Sequence, residues 1–226
     1  RLAAVDVDGT VVERPRVRGP DDESAATLLM AHGAGAPMDS AFMERLAGAL
    51  AAEGIAVARF EFAYMAGRRT GGPKKPPPRA DRLIGEFQTA LQTLLRDSTG
   101  PLLLGGKSMG GRVAAMLGGG GSLPQRVRGV CCFGYPFHPT GKPDAEWRLS
   151  PLQESKRPVL ILQGDRDPFG SKAELEAVTL PCSVSLTYLE DGNHDFGPRG
   201  KSPATLDGNI RDAAKAAAAF AASLKG

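Results

Sequence analysis

The chain has 226 residues, 42% of them hydrophobic, which is enough to bury a sizeable core without external staples and suits one α/β domain spanning residues 1–226. Lysine and arginine total 28 against 25 acidic residues, and a charge of +3 is too mild for nucleic acid or an anionic membrane as the main partner, so a small molecule is expected. Three cysteines make no disulfide framework and fit a reducing, cytoplasmic compartment; no run reaches the ~18 apolar residues of a membrane span, and the first residues lack a secretory core, although a start at Arg1 without Met leaves room for a trimmed leader.

Residues 1–20 read as an N-terminal β-hairpin with Asp8-Gly9 as its turn. The same letters, Val5-Asp6-Val7-Asp8-Gly9-Thr10, match the aspartyl-phosphate signature of Mg²⁺-dependent haloacid-dehalogenase-like phosphatases. That alternative needs a later acidic Mg²⁺-binding motif; Gly164-Asp165 could begin one, but position 169 is Phe. Short continuous apolar runs follow at Thr27 to Ala31, Leu102 to Leu104, Val130 to Phe133 and Val159 to Leu162, as parallel strands covered on both faces require. Val184, Leu186 and Tyr188 alternate with Ser185 and Thr187, which predicts a strand near a sheet edge. Helical spacing links Phe42, Leu46 and Leu50, with Asp39 or Ser40 as cap, and links Leu83, Phe87, Leu91 and Leu95. A further helix carries Val113, Met116 and Leu117, and an alanine-rich one runs from about Asp207 to Leu224. The alternation predicts a mostly parallel, doubly wound sheet. Residues 67–79, with Arg68, Arg69, Lys74, Lys75 and a Pro76-Pro77-Pro78 run, and residues 135–158 read as long loops near the site. The first is either a solvated loop or an anion-attracting rim.

Residues 104 to 111, Leu-Gly-Gly-Lys-Ser-Met-Gly-Gly, admit two chemistries. A phosphate-cradling loop ending in Gly-Lys-Ser needs its first Gly at position 101, which is Pro, and two glycines after a strand cannot wrap several N–H groups around one phosphate. A nucleophile elbow needs a tight strand-to-helix turn with small residues two before and two after the serine, and Gly106 and Gly110 supply them around Ser108. The run Val159 to Leu162 then leads to Gln163-Gly164-Asp165-Arg166-Asp167, which offers carboxylates at a strand's C-terminal end. The last strand leads to Glu190-Asp191-Gly192-Asn193-His194, which offers an imidazole on a loop. Active sites of open parallel sheets gather at this rim. His32-Gly33-Ala34-Gly35 follows the first central strand, so the N–H groups of Ala34 and of Met109, next after the nucleophile, are the candidate oxyanion hole.

HGAGAPMDSAFM, GGKSMGGR, QGDRDPFG and GNHDF together resemble small α/β hydrolases of the dienelactone-hydrolase-like kind over about residues 25 to 224. The likeness extends to the branch that includes a testis-expressed protein and a regulatory subunit of a histone-acetyltransferase complex. It implies an α/β-hydrolase fold with little or no cap, and a triad in the order Ser108, Asp167, His194 that cleaves an ester or related acyl bond through an acyl-enzyme. It implies no metal or organic cofactor, and it allows a protein partner, so a non-catalytic scaffold is an alternative. Dienelactone hydrolases carry Cys where this chain has Ser108, which argues against lactones.

The resemblance favours Asp167 over Asp165 as the acid, leaving Asp165 as a loop carboxylate paired with Arg166 and Asp195 as structural. His32 is expected to brace backbone, His138 to decorate a loop, and Lys107 to be salt-bridged or solvated, since adjacent residues project apart. Phe62, Tyr64, Phe137, Trp147 and Phe169 are candidates for core packing or for an acyl pocket.

Overall fold

The computed structural model describes residues 4–7, 10–13, 25–69, 71–121, 123–142 and 144–224. Among them eight strands form one sheet: β1 (Ala4–Val7), β2 (Thr10–Glu13), β3 (Thr27–Ala31), β4 (Ala56–Phe60), β5 (Leu102–Lys107), β6 (Val127–Phe133), β7 (Val159–Gly164) and β8 (Val184–Leu189). Their order is β1-β2-β4-β3-β5-β6-β7-β8. β1 pairs antiparallel with β2, and β2 with β4, while β3 to β8 are all parallel. The Asp8-Gly9 turn lies outside the described residues, as do residues 14–20 of the expected hairpin.

The continuous apolar runs follow from this placement, because successive side chains point to opposite faces and both faces are covered. Leu28 and Met30 of β3 pack with Leu103, Phe133 and Leu160 under α1 (Ala41–Ala52) and α7 (Leu206–Ser223). Leu29 and Ala31 pack with Leu104, Cys132 and Ile161 under α3 (Ile84–Asp97) and α4 (Met109–Gly118). β8 is an edge strand and its residues are mostly half-buried, in keeping with their alternation.

From β3 the chain winds one way to β4, then returns to place β5 on the other side of β3. Strand order reverses there, so the loops leaving β3 and β5 diverge and open a crevice at the strands' C-terminal ends. His32-Gly33-Ala34 and Ser108 stand at that crevice.

Some local expectations change. β5 extends beyond Leu104 through Gly105, Gly106 and Lys107. Ser40 is the N-cap of α1 without a side-chain cap bond, and Asp39 does not cap either, because its carboxylate is held by Arg69 at 2.8 and 2.7 Å. The buried stripe of α1 is Met43, Leu46, Ala47 and Leu50; Phe42 turns aside to meet Phe196, ring centroids 5.3 Å apart. The start of the basic segment is the end of α2 (Ala63–Arg69), and residues 135–158 contain α5 (Ser150–Gln153).

Candidate active site

Ser108 occupies the turn between β5 and α4 with φ 50° and ψ −113°, a conformation L side chains rarely adopt. Its N–H donates to Phe133 O at 3.0 Å, and its carbonyl accepts from Arg112 N at 3.0 Å as α4 begins. Side chains at the flanking glycines would abolish this turn. A Cβ on Gly106 would lie 2.6 Å from Ala31 O and from Gly110 C, and one on Gly110 would lie 2.6 Å from Ala31 O and His32 O. The small residues therefore let β3, β5 and α4 converge and push the serine outward, where it is half-buried.

Two side chains hold the loop after β3. His32 is fully buried; Phe62 N–H donates to its Nε2 at 3.1 Å, which leaves the proton on Nδ1 to be donated to Gly33 O at 2.7 Å. Burial lowers its pKa, so it is a neutral strut, as the sequence suggested. The Tyr64 hydroxyl donates to Ala34 O at 3.0 Å, and burial pushes that phenol up to about 12. Behind them the fully buried Glu61 accepts from Met38 N at 3.1 Å and from Arg69 at 2.5 and 2.9 Å, and Arg69 also clasps Asp39. Ala34 is half-buried, and Met109, as the first residue of α4, has an amide with no intrahelical acceptor.

On the far side of the crevice, Asp167 is fully buried just beyond β7. Its Oδ1 accepts from Phe169 N at 2.9 Å and its Oδ2 from His194 Nδ1 at 2.8 Å. Gly164 makes that approach possible: a Cβ there would fall on the carbonyl oxygens of Gly192 and Asn193, so the loop after β8 lies directly on the end of β7. Phe169 packs on the imidazole, centroids 4.4 Å apart. The ring reaches the Phe133–Gly134 step to which Ser108 is bonded, since a Cβ on Gly134 would be 3.3 Å from His194 Cε1. Among the described residues no hydrogen bond joins Ser108 Oγ to His194.

Asp165 has a different role from the expected pair with Arg166. Its Oδ2 accepts from Asp191 N at 3.0 Å, and Arg166 instead binds Asp191 at 2.7 Å. Asp191 also receives Arg199 at 2.6 Å, and these guanidinium groups, Arg199 foremost, hold its carboxyl down to about 2. Asp195 meets Lys107 Nζ at 3.2 Å. That ammonium lies beneath the imidazole loop, and burial lowers its pKa while Asp195 and Asp167 oppose the shift. His138 does more than decorate its loop: it is buried against Trp147, centroids 5.0 Å apart, with Nε2 3.4 Å from Glu174. Of the aromatic candidates, Phe62 and Phe137 are core, Trp147 and Tyr64 pack against it, and Phe169 flanks His194.

Sequence reasoning missed Gln163, whose buried amide accepts from Tyr135 N at 2.8 Å and donates to Tyr135 O and Gly170 O at 3.2 and 3.0 Å. A lone glutamine ending an apolar strand was the available signal. Among the described residues no cluster of His, Cys, Asp and Glu fits a metal, and no helix is long and apolar enough to cross a membrane.

A family model described as an alpha/beta hydrolase domain matches residues 24–222. Among solved structures, an alpha-beta serine hydrolase homologue from Coxiella burnetii superposes with TM-score 0.67 at 18% identity, over 97% of this chain and 96% of that one. A serine hydrolase without lid from Xanthomonas campestris gives 0.65 at 20% identity, over 95% and 94%. A dienelactone hydrolase from Anabaena variabilis gives 0.65 at 22% identity, over 97% and 95%.

Proposed function

This chain belongs to the alpha/beta hydrolase domain family, and from that premise we propose that it is a serine hydrolase cleaving an ester or related acyl bond of a small molecule through an acyl-enzyme. The observation that carries the reading is the 2.8 Å bond from His194 Nδ1 to the buried carboxylate of Asp167, at the same rim as a serine strained outward by its turn. With its proton on Nδ1, the imidazole keeps the Nε2 lone pair for a base. Entry of substrate draws Ser108 Oγ and Nε2 into hydrogen-bond range, since such bonds tighten in the Michaelis complex. Ser108 Oγ then attacks the acyl carbonyl as His194 takes its proton, and Asp167 stabilises the imidazolium. The N–H groups of Ala34 and Met109 receive the charge that grows on the carbonyl oxygen. Collapse of the intermediate expels the alcohol, which leaves with the proton from His194. Water, deprotonated by the same imidazole, next attacks the acyl-enzyme; the acid departs and Ser108 regains its proton.

Covalent labelling by a fluorophosphonate probe tests the reading. The wild-type protein is expected to label at one site within minutes, and Ser108→Ala not at all while melting like the wild type. A well-folded wild-type protein that takes no label would instead favour a scaffold.

A further inference from the structure

Among the described residues, guanidinium groups with buried atoms generally have evident acceptors. Arg59 binds Glu44 and Met38 O, Arg69 binds Glu61 and Asp39, Arg166 binds Asp191, and Arg157 donates to carbonyls of Val127 and Leu123. Arg112 is the exception. It lies in the first turn of α4, four residues after Ser108, with Nε buried and no hydrogen-bond or carboxylate partner among the described residues. The sheet-facing side of that turn is Gly110 and Gly111, against β3 and β6, so Arg112 lies on the side away from the strands.

The segment after β6 brings a second guanidinium to it. Tyr135 is fully buried, its hydroxyl donates to Arg148 O at 2.8 Å, and Arg148 N–H donates to Phe137 O at 2.7 Å. Arg148 Nη1 donates to Pro136 O at 3.1 Å and meets no carboxylate among the described residues. Just beyond, two residues after Arg148, α5 begins and packs on α4, the helix whose first turn carries Arg112. Burial lowers the Arg148 pKa first, and repulsion from Arg112 lowers it further.

Two like charges gathered in partly desolvated surroundings are costly unless an anion joins them. Guanidinium groups match a carboxylate or phosphate with paired donors, and the start of α4 adds positive potential at the same end. We infer that Arg112 and Arg148 form a binding site for a carboxylate or phosphate group borne by the substrate, about one helical turn from the nucleophile. The site rests on the serine-hydrolase reading for its substrate, and it narrows that substrate to an acyl compound with a remote anionic end.

The test compares p-nitrophenyl monoesters of adipic and suberic acid with the neutral hexanoate and octanoate at low ionic strength. The expected ratio of kcat/KM, charged over neutral, is about tenfold or more, as hydrogen bonds to a charged group can supply. It falls with added salt and collapses toward one in Arg112→Gln, or in Arg148→Gln should the first variant fold poorly. Neutral esters cleaved as well as charged ones, or a preference that survives both substitutions, overturns the inference. In parallel, adipate and inorganic phosphate are titrated against Ser108→Ala while its melting temperature is followed. A rise that Arg112→Gln abolishes supports the site even if no ester is cleaved, an outcome that would sink the hydrolase reading alone. With no ester cleaved and no rise from either anion, the site falls too. A rise with phosphate but not adipate, together with no ester preference, assigns the arginines to a free ion and overturns the substrate claim.

Discussion

The two flanks of the nucleophile turn handle charge differently. On the β3–β4 flank, Arg59 and Arg69 each hold a carboxylate from this chain, and His32, Tyr64 and Glu61 tie the loop of residues 33–38 to the strand beside it. On the β6–β7 flank, Arg112 of α4 and Arg148, just before the α5 that packs on it, repel each other, and neither side chain meets a carboxylate among the described residues. The first arrangement fixes the loop that carries Ala34, whose N–H is a proposed oxyanion donor, and such a donor must not move as charge develops. The second stores positive potential that only a ligand can neutralise. A polar cluster with its counter-charge in the sequence is thus a brace, and one without it is a contact waiting for substrate.

The largest effect is expected where the flanks meet. Asp167→Asn keeps the shape but can hold the imidazole in the wrong tautomer, with the proton on Nε2, and kcat on any cleaved ester should fall by roughly 10³ to 10⁴. Steady-state kinetics beside a melting curve checks this. A loss below tenfold would return the acid role to Asp165.

Next comes a direct contrast between the flanks. Glu61→Gln removes the charge that Arg69 faces and weakens the support at Met38 N, so it should cost about 2 kcal/mol, or roughly 4–8 °C in melting temperature, discounted because Arg69 is partly exposed. It should also lower kcat more than it raises KM, because the loss falls on the loop that carries the proposed oxyanion donor Ala34. Arg112→Gln orphans no carboxylate and relieves Arg148, so its melting temperature should hold or rise. Equal destabilisation by both changes would erase the distinction between brace and contact.

Much of this was readable from local pattern. Apolar runs marked β3, β5, β6 and β7 but not β4, where the buried Arg59 interrupts the run; alternation marked β8 as an edge, and Gly106, Ser108 and Gly110 gave the elbow because only backbone fits where β3 meets α4. Chain order gave a carboxylate loop beside the His194 loop, since both leave neighbouring strands at one rim, and only the family resemblance favoured Asp167 over Asp165. What escaped depends on which of several plausible partners a charge selects. Asp39 looked like a helix cap and went to Arg69; Arg166 looked paired with its neighbour Asp165 and went to Asp191. Such choices are made by distances across the fold. The loop-like Pro-Phe-His-Pro context of His138 likewise gave no sign that Trp147 and Glu174 enclose it. Arg112 escaped because an arginine four residues past a serine reads as helix surface until α5 and the segment before it are packed on α4.

The smallest effect concerns the loop that carries His194. Asp191 has φ 49°, a left-handed conformation, and it is held there by Arg166 and Arg199 while its N–H donates to Asp165. Its carboxyl titrates at about 2 in the folded chain against an ordinary 3.8, so the folded state favours the ionised form. A depressed carboxyl pKa gives stability that is complete above the unfolded value and lost as pH falls through the folded one. Wild type and Asp191→Asn should therefore differ most in melting temperature near neutrality, and the gap should close between about pH 4 and pH 2. Guanidinium groups do not titrate in this range, so the closing limb belongs to Asp191. A gap that persists unchanged at pH 2 would mean that the amide fails for reasons of geometry alone. The loop of His194 would then be shaped by its hydrogen bonds, in the manner of the β3–β4 brace, with the carboxylate's charge irrelevant to it.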